Sequence, residues 1–510
     1  MPFKVTFIGA GSIGFTRNLL RDILTVPEFH AIGVAFTDIS AQNLEMVTRI
    51  CQRDIEANGL DIQIQSTLNR REALQGAKYV INCARVGGLE AFETDVNIPL
   101  KYGVDQCVGD TICAGGIMYG QRGIPVFLDF CKDIREVSAP GCLLLNYSNP
   151  NAMVTWACSQ YGGVRTVGLC HGVQHGAGVI AEAYGIPARE LDYTCVGINH
   201  QTWFTKASHK GRDLLPGLLA AFEAHPRISK CEKVRIDVLR RFGYFSTESN
   251  GHLSEYLPWY RKRPDEIARW IDTSGWVHGE TGGYLRVCTE GRSWFDADYA
   301  NWRDWPPRRY IPEERGSEHG SYIIEGLETG RVYRGHFNVL NEGCISNLPD
   351  DCVVEVPGYV DANGVQIPRV GDLPLGPAAI CSASVSVQRL AVEAAVHGDV
   401  FLLRQAMLLD PLVGAVCTTA EACQMTDEML IAGEPWLPQY GEAIAKAKEY
   451  FAAGDVLPTK ETQGAVRLHV KTVDEMVRDK ENARRLAEAS QKAGLDEMRN
   501  ENAECRNMMG

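Results

Sequence analysis

FIGAGSIGFTRN, residues 7–18, decides the fold. It closes the apolar, β-rich run KVTFIGA (4–10) and leads into the helical pattern RNLLRDILTV (17–26). Gly9, Gly11 and Gly14 stand in it at GxGxxG spacing. In that setting the first glycine permits a tight turn, the second lets backbone approach a pyrophosphate, and the third lets helix and strand pack closely. Ser12 lies in the same loop, and the following helix offers amide donors and the positive end of its dipole. Asp38 ends the next apolar run, AIGVAFTD (31–38), 24 residues after Gly14. A carboxylate there accepts from a ribose 2′-hydroxyl and repels a 2′-phosphate, which favours NAD over NADP.

Further along, KYVINCARV (78–86), GCLLLNYSN (141–149) and RTVGLCH (165–171) are apolar runs bounded by Gly, Pro, Asn or Asp, and helical patterns fall between them. Continuous rather than alternating apolar runs suit strands buried on both faces, so an N-terminal Rossmann domain with a doubly wound parallel sheet is expected over 1–196. After GINH (197–200) helical patterns dominate, broken by a Trp-rich stretch near 270–306 and a β-rich patch at 335–367 with an ANG turn. A mixed α/β substrate and metal domain over 197–459 is expected to cover the cofactor cleft. The polar tail 460–510, with KENARRLAEASQKAGLDEM as a surface helix, is expected to be peripheral. The α/β class and this order of parts resemble lactate and malate dehydrogenases.

The composition is that of an ordinary globular protein, with 45% hydrophobic and 23% charged residues. A net charge of −13 argues against nucleic acid and against anionic membrane as partners. No window approaches the apolar length of a membrane span. The chain begins MPFKVTFIGAG, without the pattern of a signal peptide, and its 17 cysteines read as reduced thiols. A cytoplasmic location is expected.

Ligands in open α/β sheets lie beyond the carboxyl ends of the strands. Those ends carry Arg85, Asn146, Asn149, Cys170, His171, Asn199 and His200, and a Gly-rich loop, GDTICAGGIMYGQR (109–122), adds Asp110. Each has a plainer reading: Arg85 as a surface ion pair, Asn149 as a turn residue before Pro150, Asp110 as a helix cap. Cys170 alone would be a packing thiol and His200 a satisfied core histidine. Together they offer the thiol and imidazole that a borderline divalent metal prefers.

The set GAGS near residue 10, the VGG turn at 86–88, NYSNP (146–150), the CHG run (170–172) and GINH resembles glycoside hydrolase family 4, the NAD- and Mn²⁺-dependent glycosidases. GYFSTESNGHLSEYLPWY (243–260) and NLPDDCVVEVPGYVDANGVQI (347–367) are most similar to its melibiase-like α-galactosidase branch, and the resemblance spans about 3–450. It implies that Cys170 and His200 bind Mn²⁺, although thiol and imidazole would equally accept Zn²⁺, Co²⁺ or Ni²⁺. It implies Asn149 on the sugar hydroxyls, Asp110 in the catalytic loop, and Tyr256 as the base; Arg85 and Asn199, at the polar strand ends, are expected as further substrate contacts. His171 is the candidate acid. Two departures stand out: CAGG (113–116) replaces the usual GPGG, and Gly172 replaces the serine of the galactosidases. His171 where phospho-sugar members carry Asn or Asp points to an unphosphorylated hexose, while Gly172 opens space that would admit a uronic acid.

The implied reaction is hydrolysis of a small α-glycoside, an α-galactoside first. It runs by oxidation at C3, loss of the C2 proton, elimination of the aglycone, water addition and re-reduction. Alternatives are an α-glucuronidase or α-galacturonidase of the same family, a plain NAD-dependent sugar or hydroxy-acid dehydrogenase, and a nucleotide-sensing regulator. The family implies a homodimer or homotetramer.

Overall fold

The computed structural model describes residues 3–485, apart from Asp455, Glu461 and Gln463. Its described strands form one sheet. Six run parallel: β1 (Lys4–Ile8), β2 (Gly33–Thr37), β3 (Ile64–Ser66), β4 (Tyr79–Asn82), β5 (Leu143–Asn146) and β6 (Arg165–Gly168), in the spatial order β3-β2-β1-β4-β5-β6. The chain leaves β1 toward β2 in one direction and returns to β4 in the other. That reversal makes a crevice at the carboxyl ends of β1 and β4. β4 and β5 are buried along their whole length, as their continuous apolar runs require. Phe7, Ile81 and Leu145 face one core, with Leu19, Leu20 and Ile23 of the helix Ile13–Leu24. Ile8, Val80 and Leu144 face the other, with Phe127 and Phe130 of the helix Cys113–Val137.

Beyond β6 the sheet continues antiparallel through β10 (Tyr333–Leu340), β11 (Val353–Asp361), β7 (Leu191–Ile198), β8 (Gln201–His209) and β9 (Arg212–Asp213), and β12 (Gly364–Gln366) pairs with β11 across the ANG turn. Helical patterns are expected to dominate directly after GINH. Instead β7 and β8 form a hairpin, and Asn199 and His200 are its two-residue turn, with Ile198 opposite Gln201. Two-residue hairpins need positive φ in the turn, and His200 is left-handed at φ 61°. QTWFTKASH hides this strand because its buried Trp203 and Phe204 are adjacent rather than alternating.

The helix Leu375–His397 is long and apolar enough to cross a membrane by length and composition, and half of it is buried within the protein, against the helices Cys113–Val137 and Val400–Leu409. Of the tail, residues 473–485 are helical, and the rest of the stretch expected as a surface helix lies outside the described residues. Upstream of it, the Lys460 amide donates to Lys101 O, the Ala465 amide to Asp105 Oδ2 and the Thr281 amide to Val466 O, so this stretch is strapped beside the loop that carries Asp110.

Candidate active site

The glycine loop sits at the head of the crevice. Gly9 is left-handed at φ 80°, and a Cβ there would lie 2.7 Å from the Ala84 backbone. Asp38 accepts from the Gly11 amide at 2.8 Å and the Ser40 amide at 2.9 Å, and each carboxylate oxygen keeps a lone pair for a ribose hydroxyl. The glycines divide their work differently from the expectation. Gly11 is required by the approach of Asp38 and Asn43, whereas a Cβ on Gly14 would meet nothing within 4 Å. Close packing of helix on strand is therefore not what Gly14 serves. It leaves an open cradle before the helix N-terminus, beside exposed Ser12, and that cradle fits a dinucleotide phosphate.

Cys170 follows β6 and His200 turns the β7–β8 hairpin. A third group joins them: the ligand atoms of Cys170, His200 and Glu248 lie within 4.8 Å of one another. Cys170 Sγ is 3.3 Å from Glu248 Oε1, and His200 Nε2 is 3.8 Å from the same oxygen. One thiol, one imidazole and one carboxylate at this spacing fit a divalent cation. Burial, with the charges of Glu248 and Glu355, pushes the Cys170 thiol well up, so it becomes a thiolate only beside a cation. Burial would also raise Glu248, but the His200 and His252 imidazoles outweigh it and bring the carboxyl down to about 2. Glu248, like His200, is left-handed, at φ 68°. Strained backbone of this kind is held in place by its surroundings and clusters at functional sites.

Glu248 also corrects the reading of Gly172. A Cβ there would overlap the Glu248 carboxylate outright. The space that a side chain at 172 would take is filled by the Glu248 carboxylate, so Gly172 opens no free space at that point. His171, at the N-terminal end of the helix Gly172–Ala183, is 68% exposed, with Nδ1 3.6 Å from Glu318 Oε1.

The remaining residues form one network. Asp110 is buried; its Oδ2 accepts from Asn149 Nδ2 at 3.0 Å and lies 3.7 Å from Arg85 Nη2. Thr111 Oγ1 is 2.9 Å from both Asp110 Oδ1 and His200 Nδ1, and the Tyr256 hydroxyl is 3.5 Å from His200 Nδ1. Asp110 is not a helix cap, since Ile112 occupies that position before Cys113–Val137. Arg85 is caged by Phe92, Tyr119 and Tyr284, 4.7–5.5 Å from the ring centroids. The network thus runs from Gly9 and Ala84 through Arg85, Asp110 and Thr111 to His200. Asn146 stays behind the site, bonded to Asn82 and the Ser148 backbone.

Sequence reasoning missed Glu248, His252, Glu255 and Glu355. The first two, with Tyr256, stand at E-x₃-H-x₃-Y; His252 and Tyr256 share one face of the helix Asn250–Tyr256, and Glu248 stands just before it. His252 is buried with its ring centroid 5.0 Å from that of His200; burial, against the pull of Glu248, lowers it to about 4. Glu255 accepts from the amides of Cys107 (2.7 Å), Val108 (2.9 Å) and Gly109 (3.0 Å), and so shapes the loop that presents Asp110. Glu255→Gln puts an amide NH₂ among those donors, and we expect kcat/KM to fall about tenfold to a hundredfold, by analogy with groups that orient a site from behind. An unchanged steady-state profile would remove Glu255 from that role.

Two buried carboxyls here set an unusual pH dependence. Burial raises Glu255 to about 7, against the amides of Val108 and Gly109; burial and the Glu248 charge raise Glu355 to about 8. Their folded values exceed their unfolded ones, so the stabilisation they bring is complete below pH 4.5 and is lost as pH rises through 7 and 8. The buried histidines His319 (about 4) and His336 (about 3), lowered by burial, oppose this only below 6.5. Thermal melting of the chelated protein should therefore decline from pH 6.5 to 8, on the order of 2 kcal/mol in stability. Glu355→Gln should flatten that slope; a melting point that rises over this range would contradict it.

A Rossmann crevice joined to a thiol–imidazole–carboxylate group defines a dinucleotide- and metal-dependent enzyme. Residues 4–186 match the family model for family 4 glycosyl hydrolases, and residues 195–413 match that for the family 4 glycosyl hydrolase C-terminal domain. The chain belongs to the family 4 glycosyl hydrolases. It is 59% identical over 483 residues to an alpha-galactosidase of Rhizobium meliloti (strain 1021), covering 94% of this chain and 98% of that one. Against an alpha-galactosidase of Bacillus subtilis (strain 168) it is 33% identical over 444 residues, 86% and 99% of the two chains. The solved 6-phospho-beta glucosidase of Thermotoga maritima, which holds manganese, NAD⁺ and glucose-6-phosphate, shares the fold with a TM-score of 0.69 at 24% identity, over 85% of this chain and 99% of that one.

Proposed function

We propose that this chain is an α-galactosidase acting on small, unphosphorylated α-galactosides, with NAD and Mn²⁺ as cofactors. The observation that carries the reading is the convergence of Cys170, His200 and Glu248 with Tyr256 and Asp110, one contact network away from the glycine loop.

When bound, the nicotinamide would take a hydride from C3 and return it, and the cation would stabilise the charge drawn from C2 once C3 is a ketone. The chain's own groups do the rest. Tyr256 removes the C2 proton. Its hydroxyl is pushed well up by burial and by the Glu255 and Asp110 charges, so it serves as a base only where positive charge gathers, beside His200. Asn149, fixed by Asp110, and Asn199, whose buried Oδ1 has no hydrogen-bond partner, hold sugar hydroxyls, and Arg85 closes the cleft toward the cofactor. His171, exposed at the mouth, protonates the departing glycosidic oxygen. Water then adds across C1 and C2.

The test is hydrolysis of p-nitrophenyl α-galactoside in D₂O with NAD⁺, Mn²⁺ and thiol, beside the α-glucoside and α-glucuronide. Deuterium at C2 of released galactose, without NADH build-up, is expected. Product carrying only its original C2 hydrogen overturns the route, and stoichiometric NADH marks a plain dehydrogenase. Sixteen unpaired cysteines among the described residues support a reducing, cytoplasmic compartment. Assembly as a homodimer or homotetramer would be read by sedimentation.

A further inference from the structure

Away from this site, the described residues bring together a second thiol, carboxylate and imidazole: the ligand atoms of Cys231, Glu232 and His278 lie within 4.8 Å of one another. We propose that they form a second divalent-cation site, of zinc type, which ties the 271–279 connection to the helices Ile228–Cys231 and Lys233–Phe242.

Three observations support it. Cys231 and Glu232 are each only 2% exposed, and Glu232 Oε2 has no hydrogen-bond partner. Arg235 Nη1 stands 3.1 Å from that oxygen, but neither of its Nη atoms makes a hydrogen bond, and its guanidinium lies 4.2 Å from the Phe245 ring centroid. The ion pair is therefore close but not hydrogen-bonded, and a buried carboxylate oxygen without a hydrogen bond is costly. Second, one thiolate and one carboxylate match the charge of a divalent ion; of the two guanidiniums nearby, Arg227, whose Nη1 is 3.5 Å from Cys231 Sγ, is itself held by Glu182 through Nε at 2.8 Å, and Arg235 is the cation with which the ion would share Glu232. Third, His278 Nδ1 lies 3.2 Å from Ser274 Oγ and 3.7 Å from Asp272 Oδ1, leaving Nε2 to ligate. A ligating histidine is commonly oriented in this way, through its other nitrogen. Sulfur and imidazole with one carboxylate select a borderline ion such as Zn²⁺ or Co²⁺ over Mn²⁺.

The clamp would bear on the substrate pocket. The 271–279 connection carries Trp276, stacked on Tyr284 at 5.0 Å between centroids and 6.3 Å from the His252 ring. Asn250, in the helix of Tyr256, donates through Nδ2 to His278 O at 2.9 Å. Fixing His278 to Cys231 and Glu232 thus holds one aromatic wall of the pocket.

The experiment uses the full-length Cys170→Ser/His200→Ala double variant, which silences the first site, titrated with Co²⁺. About one equivalent with a thiolate-to-cobalt absorption band is expected, and both should vanish on adding Cys231→Ser. No bound cobalt in the double variant overturns the site and leaves Arg227 and Arg235 as the compensating charges; so does a band that survives Cys231→Ser. Should the double variant fail to fold, zinc-equilibrated wild-type protein analysed by elemental mass spectrometry decides: about two equivalents, falling to about one in His278→Ala, support the site, and one equivalent in both overturns it.

Discussion

Glu248→Gln should lower kcat/KM for an α-galactoside about a hundredfold or more and raise the Mn²⁺ concentration needed for half-maximal activity in parallel, since even groups that only orient metal ligands are worth about tenfold to a hundredfold. The substitution keeps shape and removes charge. The glutamine side chain would still fill the space that Gly172 leaves, so the fold is retained, but Cys170 and His200 would face a neutral amide. The left-handed backbone at Glu248 argues that the position is held for chemistry, because a non-glycine residue in that region costs about 1–3 kcal/mol. The check is a joint measurement of metal affinity and steady-state rate. An unaltered Mn²⁺ dependence would remove Glu248 from the metal group.

Tyr256→Phe carries the second large effect. Loss of a general base costs about 10²–10⁴-fold in rate, and here it should fall on kcat, because the hydroxyl lies within the buried network rather than at the cleft mouth. NAD affinity should be unchanged, since Asp38 is anchored by the Gly11 and Ser40 amides, and Mn²⁺ affinity should change far less than kcat, since His200 Nδ1 keeps its 2.9 Å contact with Thr111 Oγ1 when the Tyr256 hydroxyl at 3.5 Å is lost. The informative readout is exchange of the C2 hydrogen with D₂O, which should disappear with turnover. Exchange at the wild-type rate in Tyr256→Phe would exclude the tyrosine and turn attention to His252, whose ring centroid lies 6.1 Å from that of Tyr256.

The Rossmann half was legible because its causes are local. Gly9 must be left-handed, Asp38 must follow β2, and β4 and β5 must be buried throughout, and each demand leaves a mark a few residues long. The antiparallel extension was harder to see. β7 and β8 pair through a turn, Asn199–His200, without glycine, and β3 spans only Ile64–Ser66. Cys170 and His200 were legible as ligand types at the ends of apolar runs. Glu248 was not, because its distance from them in sequence says nothing of its place, and its approach depends on a glycine at 172 that, in sequence, reads as open space.

What the chain determined by itself is the dinucleotide loop, the parallel sheet behind it, and the kinds of side chain gathered at the strand ends. These follow from steric and periodic rules acting over short stretches. Only the tertiary structure decided which groups meet: that Glu248 completes the thiol and imidazole, that Glu255 grips three amides of the loop before Asp110, and that Cys231 and Glu232 face His278. Such contacts join residues tens to hundreds of positions apart, and the packing of separate elements, not any local preference, sets them.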